Sequence, residues 1–479
     1  MMKSKLIKLT LLSILSIGSF STLTSCVDND LNIDPKHPSS VPSENLIGNS
    51  LFQYAYYVST PSVNYNNYNF FVQQWAETTY TDETRYNLVT RSQPRNHFTR
   101  MYVYVIGNVR NAKNSLLTEG NDDVVAANKL ASLEILEILA WENIVNTFGN
   151  VPYSDAFKGG TERNFNPKYD DAKTIYIDLI NRLDAVIATI DTSGEGFTTG
   201  DFVYYGDMQK WKETANVIKL RLGLNLADTD PTLAKSTIES AVTSGVYQSD
   251  SDSFSFAFDG GTFTNPIFDN LVASGRKDFI PSELLINTMN TNSDPRLSKW
   301  FTTVSDEYIG GVFGSGNPYA KYSHMSSFFE SSTTPANLLS YTEVSFLLAE
   351  AAQRGFSVGG SAASYYEQGI KSSMTEAGVS DADATTYLAA NPYDATEWKK
   401  SIGTQAWVAL FSRGYAGWNF TRRLDYPILV NPSTSLIKTV PFRMPYSDQE
   451  YVLNKTNVEA AAAVIGGDSP STKLFWDVN

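Results

Sequence analysis

The chain has one cysteine, three histidines and a shortage of positive charge, and each shortage removes a class of function. A lone thiol leaves no partner for an intramolecular disulfide, so the core alone must hold the fold. His37, His97 and His324 stand in dissimilar contexts, none is paired at helical spacing, and no H-E-x-x-H occurs, so nothing suggests a zinc-protease site. Each of the three is expected at the surface. With 37 Lys and Arg against 51 Asp and Glu, the formal charge is -14. That surface suits neither nucleic acid nor anionic lipid. After residue 26 no apolar stretch approaches the ~20 residues that span a bilayer.

The one cysteine is informative by position. Cys26 closes Leu23-Thr24-Ser25-Cys26 behind Lys3, Lys5, Lys8 and an apolar run from Leu9 to Phe20 that is too short to be a membrane anchor. Residues 1–25 therefore read as a lipoprotein signal peptide, with Cys26 as the lipidated residue. Each buried lipid CH₂ contributes on the order of 0.8 kcal/mol, so two or three acyl chains anchor such a protein firmly. Residues 26–43, with Asp28, Asp30, Pro35, Pro38 and Pro42, read as a flexible tether, and 44–479 as one folded domain.

That domain is expected to be mainly α. The clearest helical spacing runs from Val124 to Phe148, where Leu130, Leu133, Leu136, Ile138, Trp141, Ile144, Val145 and Phe148 make a wide apolar face that Gly149 ends. Further helices are expected at 172–190, 209–227, 233–242, 342–354, 363–377, 398–413 and 449–464. Short connections pair most of them, which suggests a degenerate, tetratricopeptide-like superhelix without a strict repeat period. Between about 246 and 335 the pattern changes: Ser253 to Phe258 alternates as a strand does, and glycine-rich segments follow. This block reads as a loop-rich insertion carrying a little β, the kind of segment that presents ligand contacts.

Aromatic residues are plentiful, with 27 Tyr, 26 Phe and 8 Trp. Tyr54, Tyr56, Tyr57, Tyr65, Tyr68, Trp75, Tyr80 and Tyr86 crowd the first ninety positions, interleaved with Asn64, Asn66, Asn67, Gln73, Gln74, Asp82 and Arg85. A sugar ring has an apolar C–H face and a hydroxyl edge, and flat rings beside amide and charged groups match both. The Tyr/Asn-rich stretch 54–70 is expected to be exposed. Catalytic signals are weaker. Gly314-Ser315-Gly316 lacks the third glycine of a dinucleotide fingerprint, with Tyr319 in its place, and reads as a flexible loop. Asp228, Asp230, Thr232 and Glu239 match a calcium loop except at Leu233, where the turn needs Gly, so they read as a helix start capped by aspartates. A glycosidase needs only two neighbouring carboxylates, an alternative that the 51 acidic residues leave open.

Six segments in order resemble the SusD/RagB outer-membrane lipoproteins, on the SusD-like branch: Leu31-Asn32-Ile33-Asp34-Pro35; Phe148-Gly149-Asn150-Val151-Pro152-Tyr153-Ser154-Asp155-Ala156; Trp211 with Ala215 to Leu222; Asp294-Pro295-Arg296-Leu297; Tyr341 to Ala351; and Val440 to Glu450 with Asn454. Where relatives carry an acid and "AW" ahead of the Arg pair, this chain has Ala416-Gly417-Trp418 before Arg422-Arg423. The motifs are architectural, built of caps, turns and buried pairs.

The resemblance implies a cell-surface, outer-membrane lipoprotein that binds a glycan or oligosaccharide and sits as a lid on a SusC-like TonB-dependent transporter, delivering ligand for polysaccharide utilisation without cleaving it. It requires no cofactor. The resemblance also allows a structural calcium ion, held through oxygen ligands as in some relatives. The RagB side of the family makes a peptide-binding lid the alternative, with a deep, backbone-lined chamber as its mark. Ligand-binding candidates are Trp75, Tyr80, Asp82, Arg85 and Tyr86 from the early cluster, and Phe313, Asn317, Tyr319, Tyr322 and Phe328 from the insertion.

Overall fold

The computed structural model describes residues 41–478, and those from Pro42 onward form one compact unit. The signal segment, Cys26 and nearly all of the tether lie outside the described residues. The body is mainly α-helical, with strands confined to three two-stranded antiparallel sheets: β1 (Trp75–Glu77) with β5 (Phe279–Pro281), β2 (Val151–Pro152) with β3 (Tyr169–Asp170), and β4 (Phe254–Phe256) with β6 (Ala336–Leu339).

The main helices are α1 (Ser43–Ser59), α2 (Gly107–Leu116), α3 (Asp123–Phe148), α4 (Ala172–Thr189), α5 (Met208–Asn225), α6 (Pro231–Ser244), α7 (Tyr341–Gln353), α8 (Ala362–Glu376), α9 (Trp398–Ala409), α10 (Gly414–Leu424) and α11 (Lys455–Val464). Sequence neighbours pack as pairs: α1 on α2, α3 on α4, α5 on α6, α7 on α8 and α9 on α10. Such pairs bury one another's apolar stripes, which is why the body reads as a helix-pair superhelix. Starts are set by side-chain caps. Asp122 accepts from the Val124 N–H, Asp171 from Thr174, Asp207 from Gln209 and Lys210, and Asp230 from Leu233. The aspartate-rich segment before α6 is thus a cap, and its Asp228 pairs with Arg354.

α3 is buried on nearly every side from Ala131 onward, so it forms the centre of the body and not the one-sided helix its stripe suggested. Leu130, counted on that stripe, is 37% exposed because it precedes the helix's entry into the core. Gly149, at φ +84°, ends α3 in a conformation that only glycine adopts cheaply.

The motif residues meet inside. Arg221 of α5 donates to Glu142 of α3 at 3.2 Å and lies 3.6 Å from Glu343 of α7, while Arg423 reaches Glu350 at 2.8 Å and Asn225 at 2.9 Å. Arg296 grips Asp294 through two hydrogen bonds of 2.9 and 2.6 Å and donates to Ser373 at 2.9 Å. Arg443 donates to the Phe148 carbonyl at 3.0 Å and pairs with Asp468. Each of these arginines is nearly inaccessible, so losing a partner would leave a charge buried alone.

Several expectations need correction. His97 is fully buried among the rings of Tyr57, Tyr68 and Phe148, and burial lowers it to about 3, so it is neutral. The stretch 54–70 is largely core: Tyr54, Tyr57, Tyr68, Asn66, Asn67 and Asn69 are buried. α1 was hidden by its tyrosines, although Ile47, Leu51, Tyr54 and Ala55 make an ordinary helical face. The helical run that includes the π-helical turn Arg100–Ile106 and leads into α2 also lies outside the helices expected from the sequence. The helix expected over 398–413 stops at Ala409, where Ser412 at φ +64° turns the chain into α10. That over 449–464 divides at Asn454 into Glu450–Leu453 and α11. The alternating segment 253–258 forms a short strand, β4 (Phe254–Phe256), with both Phe rings inward, paired to β6 (Ala336–Leu339).

Candidate functional site

Strand β1 (Trp75–Glu77) pairs antiparallel with β5 (Phe279–Pro281), and this ribbon joins the early aromatic cluster to the insertion. Thr78 extends the pairing: its N–H donates to the Asp278 carbonyl at 2.9 Å and its hydroxyl to Lys277 at 2.6 Å. From the insertion, the Asn317 N–H bonds the Thr78 carbonyl at 2.9 Å, and its side-chain amide faces the carbonyls of Glu77, Val312 and Ser315. Two segments more than two hundred residues apart are thereby sewn into one face.

A cleft of about 370 Å³ opens on this face beside Tyr80, lined by Asn64, Glu77, Arg91, Asn270, Arg276, Asp278 and Phe279. Tyr80 is 58% exposed, with the Arg91 guanidinium 5.9 Å from its ring centre. Arg276 pairs with Asp278 at the opposite wall. Next to the same segment, Tyr319 stacks on His324 with centroids 3.6 Å apart and planes 8° from parallel, and the Lys277 ammonium lies 5.2 Å from its ring. The arrangement offers flat rings beside carboxamides and charges of both signs, which can cover an apolar ring face while bonding to hydroxyls at its edge.

Behind the cleft, Glu77 accepts from the Thr84 N–H and hydroxyl at 3.0 and 2.8 Å, and Glu83 accepts from Arg91 at 2.7 Å and Gln93 at 3.0 Å. Burial, with the Glu83 carboxylate beside it, pushes Glu77 up to about 9. Glu77 therefore keeps its proton at neutral pH, and the Glu83 carboxylate holds Arg91 beside Tyr80.

The candidates fall into distinct environments. Tyr80 is exposed; Tyr319, beside Lys277, is half-buried, as are Asp82 and Tyr322, with Asp82 accepting from Asn87 at 3.2 Å. Arg85 is half-buried and donates to the Thr434 carbonyl at 3.0 Å. Trp75, Tyr86 and Asn317 are 1%, 1% and 0% exposed, so they brace the face and offer no platform. Trp75 packs on Phe279 and Phe411, and Tyr86 packs on Phe313 with its hydroxyl held by Gln73. Phe313 borders a separate groove with Ile428 and Val430, and Phe328 a separate recess with Trp300. Of the polar residues noted beside the aromatics, Asn64 reaches the cleft, whereas Asn66, Asn67, Gln73 and Gln74 are buried. Arg91, Asn270, Arg276 and Asp278 were missed. Arg276-Lys277-Asp278, a charged run beside an apolar strand, was the one available signal for them. Among the described residues, no group of three or more His, Cys, Asp or Glu is placed to hold a metal ion, and no helix is long and apolar enough to cross a membrane.

Fold and face together define a helix-pair scaffold that displays a cleft of aromatic and polar side chains. The chain belongs to the SusD-like family, described as starch-binding and associating with the outer membrane, whose profile matches residues 35–447. Similar solved structures include a chitin-binding protein, 26% identical over 91% of this chain and 100% of its own, with a TM-score of 0.80. A chitin-binding SusD homolog from Flavobacterium johnsoniae is 25% identical over 91% and 98% of the two chains, with a TM-score of 0.78. A SusD homolog from Bacteroides uniformis is 26% identical over 91% and 99%, with a TM-score of 0.75. No curated protein gives a significant match.

Proposed function

We propose that this protein is a surface lipoprotein, anchored through Cys26, that binds a glycan or oligosaccharide across the Tyr80 cleft and the Tyr319 platform. The observation that carries this is the exposed Tyr80 ring set among Asn64, Asn270, Arg91, Arg276 and Asp278. The chitin-binding relatives make β-linked N-acetylglucosamine oligomers the first ligands to try, with starch oligomers second. The cleft sets an exposed tyrosine ring beside two carboxamides and charges of both signs, which favours sugar rings over an extended peptide. Binding proceeds without bond cleavage, and the bound glycan passes to a SusC-like TonB-dependent transporter for which this protein serves as lid.

Affinity electrophoresis of residues 27–479 against a polysaccharide panel tests the first part. Retardation that is lost in Tyr80→Ala and Tyr319→Ala supports it, and retardation unchanged in both variants contradicts the site. Extraction from outer membranes tests the partnership: a large β-barrel should co-purify, and a solitary lipoprotein would count against the lid. Release of sugar by the purified chain would overturn the absence of catalysis.

A further inference from the structure

The groove that borders Phe313 holds about 610 Å³ and shares no lining residue with the Tyr80 cleft. Its lining has two characters. Phe313, Ile428, Val430 and Pro432 are apolar, with Ile428 and Val430 67% and 69% exposed. Apolar side chains gathered in one concave place mark a contact surface. The segment that carries them is pinned: the Thr434 hydroxyl donates to the Gly314 carbonyl at 2.7 Å, and the Leu436 N–H to the Arg85 carbonyl at 3.0 Å. The helix Glu283–Thr291 brings Asn287, Thr288 and Thr291 to the groove, and α9 brings Lys400 and Thr404. Within the described residues, no hydrogen bond engages the side chains of Asn287, Thr291 or Thr404.

Gln73 is the one buried residue in this lining, 3% exposed. Its amide nitrogen donates to the Tyr86 hydroxyl and to the Val430 carbonyl, both at 2.8 Å, which spends both protons and fixes which end of the amide is the oxygen. That oxygen is left without a partner and still meets solvent, unlike the unpaired oxygen of Gln74 next to it, which is sealed in. The Gln73 backbone stands at φ +53°, in the left-handed region, with its carbonyl held by the Ser282 hydroxyl at 2.5 Å. Strain of this kind persists only where the surroundings hold it, and it gathers at ligand sites.

A ligand for this groove needs an apolar face, a polar edge and a donor for the Gln73 oxygen. Glu283 and Lys400 place one charge of each sign in the lining, so no net field selects an ion. A purely apolar ligand would strip water from Asn287, Thr291 and Thr404 and give them no hydrogen bond in return. A sugar ring meets all three needs, and the volume falls within the roughly 300–1,000 Å³ of small-molecule sites. We infer that this groove is a second site for a neutral saccharide, with a ring face on Phe313, Ile428 and Val430, one hydroxyl donated to the Gln73 oxygen, and others bonded to Asn287, Thr291 and Thr404. The protein then meets glycan at two places, and a chain long enough to reach both gains because its second contact is intramolecular.

This second site rests on the glycan reading proposed above, and the test separates the two. Residues 27–479 are titrated calorimetrically with the hexamer of β-linked N-acetylglucosamine and with maltoheptaose. Tyr80→Ala combined with Tyr319→Ala disables the first site and should leave a weaker but saturable binding of at least one of the two sugars. Adding Asn287→Trp, at an exposed helix position, fills the groove and should abolish that remainder, with a thermal melt confirming that the variant folds. Adding Gln73→Met instead removes the acceptor and should weaken the remainder about three- to tenfold, the worth of one hydrogen bond. No remainder in the Tyr80/Tyr319 variant of a chain that does bind, or a remainder that Asn287→Trp leaves intact, would overturn the second site and leave the first standing. Full-strength binding in the Tyr80/Tyr319 variant that Asn287→Trp abolishes would keep the groove and overturn the Tyr80 cleft. Binding of neither sugar by the unaltered chain at millimolar concentration would overturn the inference outright.

Discussion

The buried ion pairs of the helical body and the charged groups of the Tyr80 cleft use the same side chains for opposite ends. Arg296, Arg423 and Arg443 are enclosed, and each donates to a carboxylate of the protein, Asp294, Glu350 and Asp468 in turn. Arg276 and Asp278 pair with each other at a solvent-open wall, 57% and 25% exposed, beside the exposed ring of Tyr80. Polar groups satisfied inside specify the fold, whereas polar groups displayed at a surface remain available to a ligand. Substitutions should therefore divide into those that cost stability and those that cost binding.

The largest effect is expected in the body. Arg296→Ala leaves Asp294 buried without its cation and should lower unfolding stability by about 3–5 kcal/mol in a denaturant titration. Trp75→Ala comes next, at about 3–5 kcal/mol minus whatever the neighbouring Phe279 and Phe411 recover by collapsing into the space. If Trp75→Ala instead left stability intact and removed glycan binding, the division between the two regions would fail at that residue.

A pH series sharpens the comparison at their boundary. Glu77 holds its proton up to about 9 in the folded chain against 4.5 ordinarily. The folded state then binds a proton that the unfolded state has released, so this group's contribution to stability falls as pH rises from about 4.5 through about 9. Glu77→Gln should flatten that decline in thermal midpoints and keep the Thr84 contacts. His97 acts in the opposite direction. It is held neutral down to about 3 against 6.5 ordinarily, so the unfolded chain takes up a proton first and stability is lost as pH falls from about 6.5 towards 3. His97→Gln should reduce that acid sensitivity, read from the same midpoints.

The fold was legible because its signals are local. Caps such as Asp122 and Asp230, the stop at Gly149 and the apolar stripes of α3 to α8 are written within a turn or two of where they act. The motifs around Arg221, Arg296, Glu343 and Arg423 placed the chain in its family, and the structure gives their physical role as partners across helices. The site was legible only in part, because exposure is a tertiary property. Tyr80 and Tyr86 stand in the same aromatic cluster, yet one is 58% exposed and the other 1%. Nothing in the residue types separates them; the turn that carries Tyr86 inward at φ +60° does. Arg91 and Arg276 escaped notice because each becomes relevant only when β1 and β5 pair.

The smallest stability effect and the most direct test coincide at Tyr80. Being largely exposed, its replacement by alanine should change unfolding stability by no more than about 0.5 kcal/mol. Loss of a stacking ring should weaken glycan binding by roughly tenfold or more. The measurement to make is the affinity of Tyr80→Ala for the best polysaccharide or oligosaccharide ligand beside its thermal midpoint. Weakened binding at an unchanged midpoint is the result the account predicts. Unaltered binding at an unchanged midpoint would contradict it.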